Sequence, residues 1–252
     1  FFTRALPVSS KNVVYQVAGD RELFCYAERQ PNGKFEEGKP MPSPPFNTHP
    51  NEGGASVTID NKHIFFTVND MGNFDIWTSD IVNGDWGPVR TLGKNINSAD
   101  FWDSQPSISA DGKTLYFASN RPGGYGGVDI WKAEKDAYGN WLVPVNLGLN
   151  INTEGDEKSP FLHWDSRTLY FASGDNESGY SGHMNVGGFD IFYARMDSIG
   201  RWMKPKNIGY PINTEGDDLG FMVSSDGRYG FFASDNPKKT LGKSVGGKDI
   251  YF

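Results

Sequence analysis

Four carboxylates recur at one position of an internal repeat. Glu52, Asp103, Glu157 and Asp218 each lie eight residues before a turn aspartate, namely Asp60, Asp111, Asp165 and Asp226. At that spacing each acid begins the innermost strand of its repeat, so the four are expected to ring the mouth of a central channel. The first repeat offers Phe2 there and breaks the series. Like charges in a narrow mouth repel, and the local field is focused. Such acids need compensation: a bound cation, a basic side chain from a partner, or hydrogen bonds to backbone or hydroxyl groups of neighbouring repeats. Calcium suits oxygen-only ligands; hydrogen bonding is the expected outcome.

Other reactive residues form no constellation. The four histidines, His49, His63, His163 and His183, are scattered along the chain. There is no His-Glu-x-x-His zinc pattern, no Gly-x-Ser-x-Gly elbow and no phosphate-binding Gly-x-x-x-x-Gly-Lys-Ser/Thr loop. Gly123-Gly124-Tyr125-Gly126-Gly127 is glycine-rich but leads into a strand, so no helix N-terminus stands behind it. The sequence therefore names no catalytic residue, no metal ligand set and no cofactor, and the chain is not expected to be an enzyme. A second recurring acid (Asp75, Asp129, Asp190, Asp249) precedes isoleucine and is expected to accept hydrogen bonds from turn N–H groups. Trp86, Trp141 and Trp202 are expected to pack between repeats.

The elements that must hold these residues are strands. Leu115-Tyr116-Phe117-Ala118-Ser119 returns as Leu169-Tyr170-Phe171-Ala172-Ser173, as Gly230-Phe231-Phe232-Ala233-Ser234 and as Ile64-Phe65-Phe66-Thr67-Val68, with Val14–Ala18 as a weak fifth copy. Asp-Ile-Trp, Asp-Ile-Phe or Asp-Ile-Tyr follows, its aspartates 54, 61 and 59 residues apart, with Leu23-Phe24-Cys25 as a degenerate first copy. Then comes a tryptophan with a branched residue and glycine, and last an Ile-Asn linker, twice spelled Ile-Asn-Thr-Glu-Gly-Asp. Each cycle holds about four short runs rich in aromatic and branched residues, with Asp-Gly hairpin signals at Asp111-Gly112 and Asp226-Gly227. Four antiparallel strands repeated about an axis make a β-propeller blade. An all-β propeller of five blades is expected, at 1–47, 48–102, 103–156, 157–217 and 218–252. Phe1 to Ser9 would supply either the outer strand that closes the ring or the inner strand of the first blade.

In such a blade the loops between strands two and three share a face with the linkers. There lie 69–74, 120–128, 174–188 and 235–247, which vary in length while the strands do not. Function concentrates on variable loops of a rigid scaffold. The candidate binding residues are accordingly Arg121, Tyr125, Asp175, Asn176, Tyr180 and His183, beside the four channel acids.

Composition narrows the partners. Among 252 residues, 37% are hydrophobic, 22% charged and 14% aromatic, with 31 glycines, as many short strands and tight turns require. The net charge of −7 and the lack of a basic stripe argue against nucleic acid. Lys238, Lys239 and Lys243 read as a solvated loop. No segment is long and apolar enough to span a membrane as a helix, so no direct insertion is expected of this segment. The single cysteine, Cys25, excludes an internal disulfide. The abrupt first and last residues suggest a piece of a longer protein.

The run from Pro106 to Arg121 resembles the PD40 repeat, the WD40-like propeller repeat of TolB-type proteins, and the likeness recurs over nearly the whole chain. The glycine pairs before Asp-Ile and the Ile-Asn-Thr-Glu-Gly-Asp linker are similar to propellers fused to OmpA-like peptidoglycan-binding domains of outer-membrane lipoproteins, such as the PorE-like component of the type IX secretion system. The resemblance implies a non-catalytic protein-interaction scaffold on the periplasmic side of the outer membrane, with other envelope or secretion-system proteins as partners. A carbohydrate- or muropeptide-binding module, or a propeller hydrolase, is the alternative.

Overall fold

The computed structural model describes residues 2–5, 22–28, 30–33, 35–36, 38–224, 227–236 and 248–251. Alternating branched and aromatic runs broken by Gly, Asn and Asp turns form strands and no helix among them. The first strand set holds β1 (Phe2–Ala5), β2 (Glu22–Tyr26) and β3 (Lys39–Pro40). The second holds β4 (Asn51–Val57), β5 (His63–Asp70), β6 (Asn73–Val82), the small β7 (Asp85–Trp86) and β8 (Arg90–Thr91). The third comprises β9 (Asp103–Ile108), β10 (Thr114–Ser119), β11 (Asp129–Glu134) and β12 (Val145–Asn146). The fourth comprises β13 (Asp156–Leu162), β14 (Thr168–Gly174), β15 (Asp190–Arg195) and β16 (Lys206–Asn207). The fifth holds β17 (Asp218–Val223), β18 (Gly230–Ser234) and β19 (Asp249–Tyr251).

Within each set the strands pair antiparallel in chain order, the arrangement of propeller blades. Counted as hydrogen-bonded sheets the blades number four, because one parallel pair, Glu22 with Asn51, joins the first set to the second. Five strand sets follow one another along the chain. The first meets the last where the Phe35 and Phe231 rings stand edge to face, 5.7 Å between centroids.

Blade one departs from expectation. Residues Phe2–Ala5 are neither an outer nor an innermost strand: they pair with β2, Phe2 opposite Cys25, on the side away from β3. Phe2 is therefore a second-strand residue and not the counterpart of the channel acids. Val14–Ala18, Asp226 and Lys238, Lys239 and Lys243 lie outside the described residues.

The core lies in the seams between blades. Phe65, Ile76, Ile96, Leu115, Phe117 and Trp141 bury one cluster between blades two and three. Tyr116, Ile130, Ile151, Leu169, Phe171 and Trp202 bury the next. Strand alternation explains the division: Phe117 turns to one seam and its neighbour Tyr116 to the other. The tryptophans bridge blades as expected. Trp141 stands edge-on to Phe65 of the preceding blade at 6.3 Å, and Trp202 to Tyr116 at 6.1 Å. Asn95 Nδ2 donates to the Trp141 carbonyl (2.6 Å) and Asn150 Nδ2 to that of Trp202 (2.8 Å). Nearer the axis, Ile108 N–H donates to Ser56 Oγ and Leu162 N–H to Ser107 Oγ.

Phe117 and Phe171 are completely enclosed. Replacing either by alanine is expected to destabilise the domain by about 3–5 kcal/mol, the usual cost of an emptied aromatic site. Thermal melts of the two variants check this, and a shift of under a degree in melting temperature for both would overturn the assignment of the second strand as core.

Candidate functional site

Each channel acid is the first or second residue of an inner strand, yet none opens onto solvent: Glu52, Asp103, Glu157 and Asp218 are at most 2% exposed. Their oxygens are spent on the linker that leads into their own blade. Glu52 accepts from the N–H groups of Asn47, Thr48 and His49 at 2.7–2.9 Å. Asp103 accepts from Ser98 N–H (2.7 Å) and from Arg121 Nη2 (2.6 Å). Glu157 accepts from Thr153 N–H, Thr153 Oγ1 and Ser173 Oγ, each at 2.7 Å. Asp218 accepts from Thr214 N–H (2.6 Å) and Thr214 Oγ1 (2.9 Å). The compensation is thus local hydrogen bonding, drawn from the acid's own linker and blade. Among the described residues no group of three or more His, Cys, Asp or Glu side chains is placed to hold a metal ion.

An asparagine completes each linker. Asn97 accepts from Ile76 N–H and donates to Ile76 O, both at 2.9 Å. Asn152 brackets Ile130 in the same way, Asn213 brackets Ile191, and Asn47 brackets Phe24. A primary amide sets an acceptor oxygen beside an NH2 group, so with one N–H it mimics one residue of a pairing strand and keeps a second N–H for a neighbour, as Asn97 does for Thr91 Oγ1.

Two candidate binding residues are interior plugs at equivalent stations. Arg121 lies over Phe117 and Trp131, 4.9 and 5.5 Å from the centroids, and Nη2 donates to the Ile96 carbonyl. One blade on, the His183 ring lies 5.8 Å from Phe171 and 5.3 Å from Phe192, and Nε2 donates to the equivalent Ile151 carbonyl at 2.8 Å. Arg121 N–H donates to Ser119 Oγ and His183 N–H to Ser173 Oγ. Burial pushes the His183 imidazole below the ordinary histidine range. In blade two His49 holds the corresponding place, its ring 5.2 Å from Trp77 and Nδ1 3.2 Å from Glu52 Oε1. No sequence signal aligned these three, because they reach one station from different loops.

The remaining candidates sit on the outer loop face. Asn176 caps its own turn through the N–H groups of Ser178 and Tyr180, and Nδ2 reaches back to the Glu154 carbonyl at 2.7 Å. Asp175, Tyr125 and Tyr180 are exposed. Two methionines stand further out, Met184 of the same long loop at 92% exposure and Met71, which the sequence did not single out, at 101%. A methionine at a loop tip between turn residues was the available signal.

The loops are stitched to the linkers beneath them. Val128 N–H donates to Asp156 Oδ1 (2.9 Å) and Phe189 N–H to Asp217 Oδ1 (3.1 Å). The glycine pairs make this possible: a Cβ on Gly126 would strike the Gly155 carbonyl, and one on Gly187 would strike Glu215. The Asp-Ile aspartates fasten the other side, Asp129 accepting from the N–H groups of Tyr125 and Gly126, and Asp190 from that of Val186.

No family model matches the chain. No curated protein matches it either. Among solved structures, TolB from Acinetobacter baumannii is 16% identical with a TM-score of 0.49, over 90% of this chain and 48% of that one. A putative TolB from Agrobacterium tumefaciens is 16% identical with a TM-score of 0.45, over 73% and 60%. A thermostable family-43 glycoside hydrolase is 19% identical with a TM-score of 0.41, over 71% and 63%. This chain thus spans about half to three-fifths of the length of the two TolB structures. The fold assignment rests on the strand pairing itself.

Glu157 carries a pH consequence. Burial outweighs its three hydrogen-bond donors and pushes its carboxyl up from 4.5 to about 7, with Asp129 adding repulsion. The folded state then holds this proton more tightly than the unfolded chain does. Its contribution to stability is complete below about pH 4.5 and is lost as pH rises through about 7. By the linkage relation the loss is on the order of 3 kcal/mol. Glu157→Gln is expected to remove this decline. Melting curves between pH 5 and 8 check it; parallel pH profiles for native and variant would show that the carboxylate is fully compensated.

Proposed function

We propose that this propeller is a non-catalytic interaction module of a cell-envelope assembly on the periplasmic side of the outer membrane, and that it meets a protein partner through its loop face. The observation that supports the reading is the set of exposed anchors, Met71, Tyr125, Tyr180, Met184 and Val186, carried on loops whose bases are hydrogen-bonded to the linkers. Methionine and tyrosine offer large contact area, the first by adapting its shape and the second by adding a polar tip. A rigid base lowers the ordering cost of binding. The recurring carboxylates near the axis are engaged in linker hydrogen bonds, which supports a scaffold over a hydrolase. The repeat's resemblance to TolB-type and OmpA-linked propellers suggests the envelope setting, and a secretion complex such as the type IX system is its finer form.

The domain used as bait against solubilised cell envelope is expected to recover a defined outer-membrane or periplasmic protein. Replacing Tyr180 and Met184 together by serine is expected to weaken that capture at least about tenfold, since central anchors carry most interface energy. Recovery of glycan alone would sink the scaffold reading. The purified domain is also expected to turn over no peptide, ester or glycan substrate. Turnover abolished by one point mutation would overturn that part of the proposal.

A further inference from the structure

A second surface lies on the outer flank of the seam between blades two and three, away from the loop anchors. A cleft of about 480 Å³ is lined there by His63, Asp80, Arg90, Lys94, Lys135 and Trp141, among others. It continues into a second hollow of about 730 Å³ that shares His63, Phe65, Lys135 and Gly139, so the two form one trough.

In the first cleft three cations, Arg90, Lys94 and Lys135, face one carboxylate, Asp80. Asp80 is shared by His63 Nδ1 (2.6 Å) and Arg90 Nη2 (2.5 Å). Asp60, Asp111 and Asp136 rim the second hollow with Lys113 and keep their charge, each held on its own turn: Asp60 by Thr58 Oγ1 and Lys62 N–H, Asp111 by Ser109 Oγ and Lys113 N–H, Asp136 by the N–H groups of Tyr138 and Asn140. Lys135 Nζ stands over the Trp141 ring, 4.7 Å from the centroid, with no carboxylate in ion-pair range among the described residues. Burial pushes its ammonium below the ordinary lysine range. An ammonium held in that state is stabilised by an incoming anion.

The repeat itself tests whether the fold needs these groups. The next seam is built on the same frame, with Trp202 at the station of Trp141 and the Met196–Trp202 bridge at that of Lys135–Trp141. There Lys135 is replaced by Met196, Arg90 by Val145, Lys94 by Leu149 and His63 by Thr114. A seam that closes with methionine, valine, leucine and threonine does not require lysine, arginine, lysine and histidine. The charged set is additional to packing.

We propose that this trough binds an acidic peptide segment of a partner, with a glutamate or aspartate carboxylate seated between Lys135 and Arg90. The elongated trough fits an extended chain, and the three cations of the first cleft, Arg90, Lys94 and Lys135 against Asp80, supply the complementary charge at the seat, while the aspartates of the second hollow direct the acidic side chain to that cleft. This surface is distinct from the loop face.

The test uses the whole chain and a fluorescein-labelled, end-blocked hexapeptide of glutamate and glycine, with its glutamine counterpart as control. Native protein is expected to raise the anisotropy of the acidic peptide but not of the control, and added salt to weaken binding. Lys135→Met and Arg90→Val install residues that the neighbouring seam already uses, so both should melt like the native protein. Each is expected to weaken acidic-peptide binding about tenfold, the loss of one partly buried charge contact. The Tyr180/Met184 double serine variant is expected to bind this peptide as native does. The proposal is overturned by equal binding of the two peptides, by no binding, or by unchanged binding in the Lys135 and Arg90 variants. It is also overturned if the loop-face variant loses the peptide. Loss of envelope partner capture in that variant alone bears on the loop face and leaves this trough untouched.

Discussion

One asparagine amide per linker holds the blades in register. The third strand of each blade is followed by a very short outer strand, only two residues long in β8, β12 and β16. The N–H and C=O of Ile76, Ile130 and Ile191 are fully enclosed, and buried backbone groups left unpaired cost about as much as a lost hydrogen bond. Asn97, Asn152 and Asn213 close both groups at once. The linker carrying the amide is itself fixed by the buried acid that starts the next blade. Amide and acid therefore act in series: one ties the linker backwards to a finished blade, the other ties it forwards to the strand being started. The isoleucine before each amide, Ile96 or Ile151, fills the seam that results.

This coupling explains what the sequence could and could not disclose. Strand periodicity, hairpin turns and the tryptophan stations are local or repeat-spaced signals, and they place the elements of blades two to four where the strands form. The acid column was visible as a column, and its place at the head of each inner strand was correct. Its direction was not visible, because that depends on the three-dimensional turn of the linker, which brings Thr153 or Thr214 back over the carboxylate. A linear pattern of like charges reads as a ring; only the folded linker shows four separate caps. Blade one was legible least. Its tryptophan station is taken by Phe35, whose partner Phe231 stands at the far end of the chain, and nothing in the local sequence announces that meeting.

The plug residues show the same limit from another side. His49, Arg121 and His183 all lie against the third-strand aromatic beside a buried acid or its serine partner, yet they come from a linker, a short loop and a long loop. The fold demands a ring-stacking hydrogen-bond donor at that station and is indifferent to which segment delivers it. Repeat alignment compares positions along the chain, so it finds functions that are tied to position and misses those that are tied to place. The same reasoning runs in reverse at the flank between blades two and three. There the position is fixed by the frame while the residue type changes sharply from one seam to the next, which separates what packing needs from what it merely tolerates.

The seams are not equivalent, and their differences are correlated. Between blades two and three, and again between three and four, three devices recur: a tryptophan against the preceding blade, an asparagine on the tryptophan carbonyl, and a serine hydroxyl on an inner-strand N–H. Between blades four and five the asparagine and the serine are both replaced. Pro211 stands where Asn95 and Asn150 stand and has no amide to donate. Phe161 stands where Ser56 and Ser107 stand and has no hydroxyl. In their place Tyr170 packs on Phe221, ring centroids 5.0 Å apart, and Phe161 leans on Tyr170 at 6.3 Å. A seam without the amide and the hydroxyl thus sets ring against ring where the other two hydrogen-bond across.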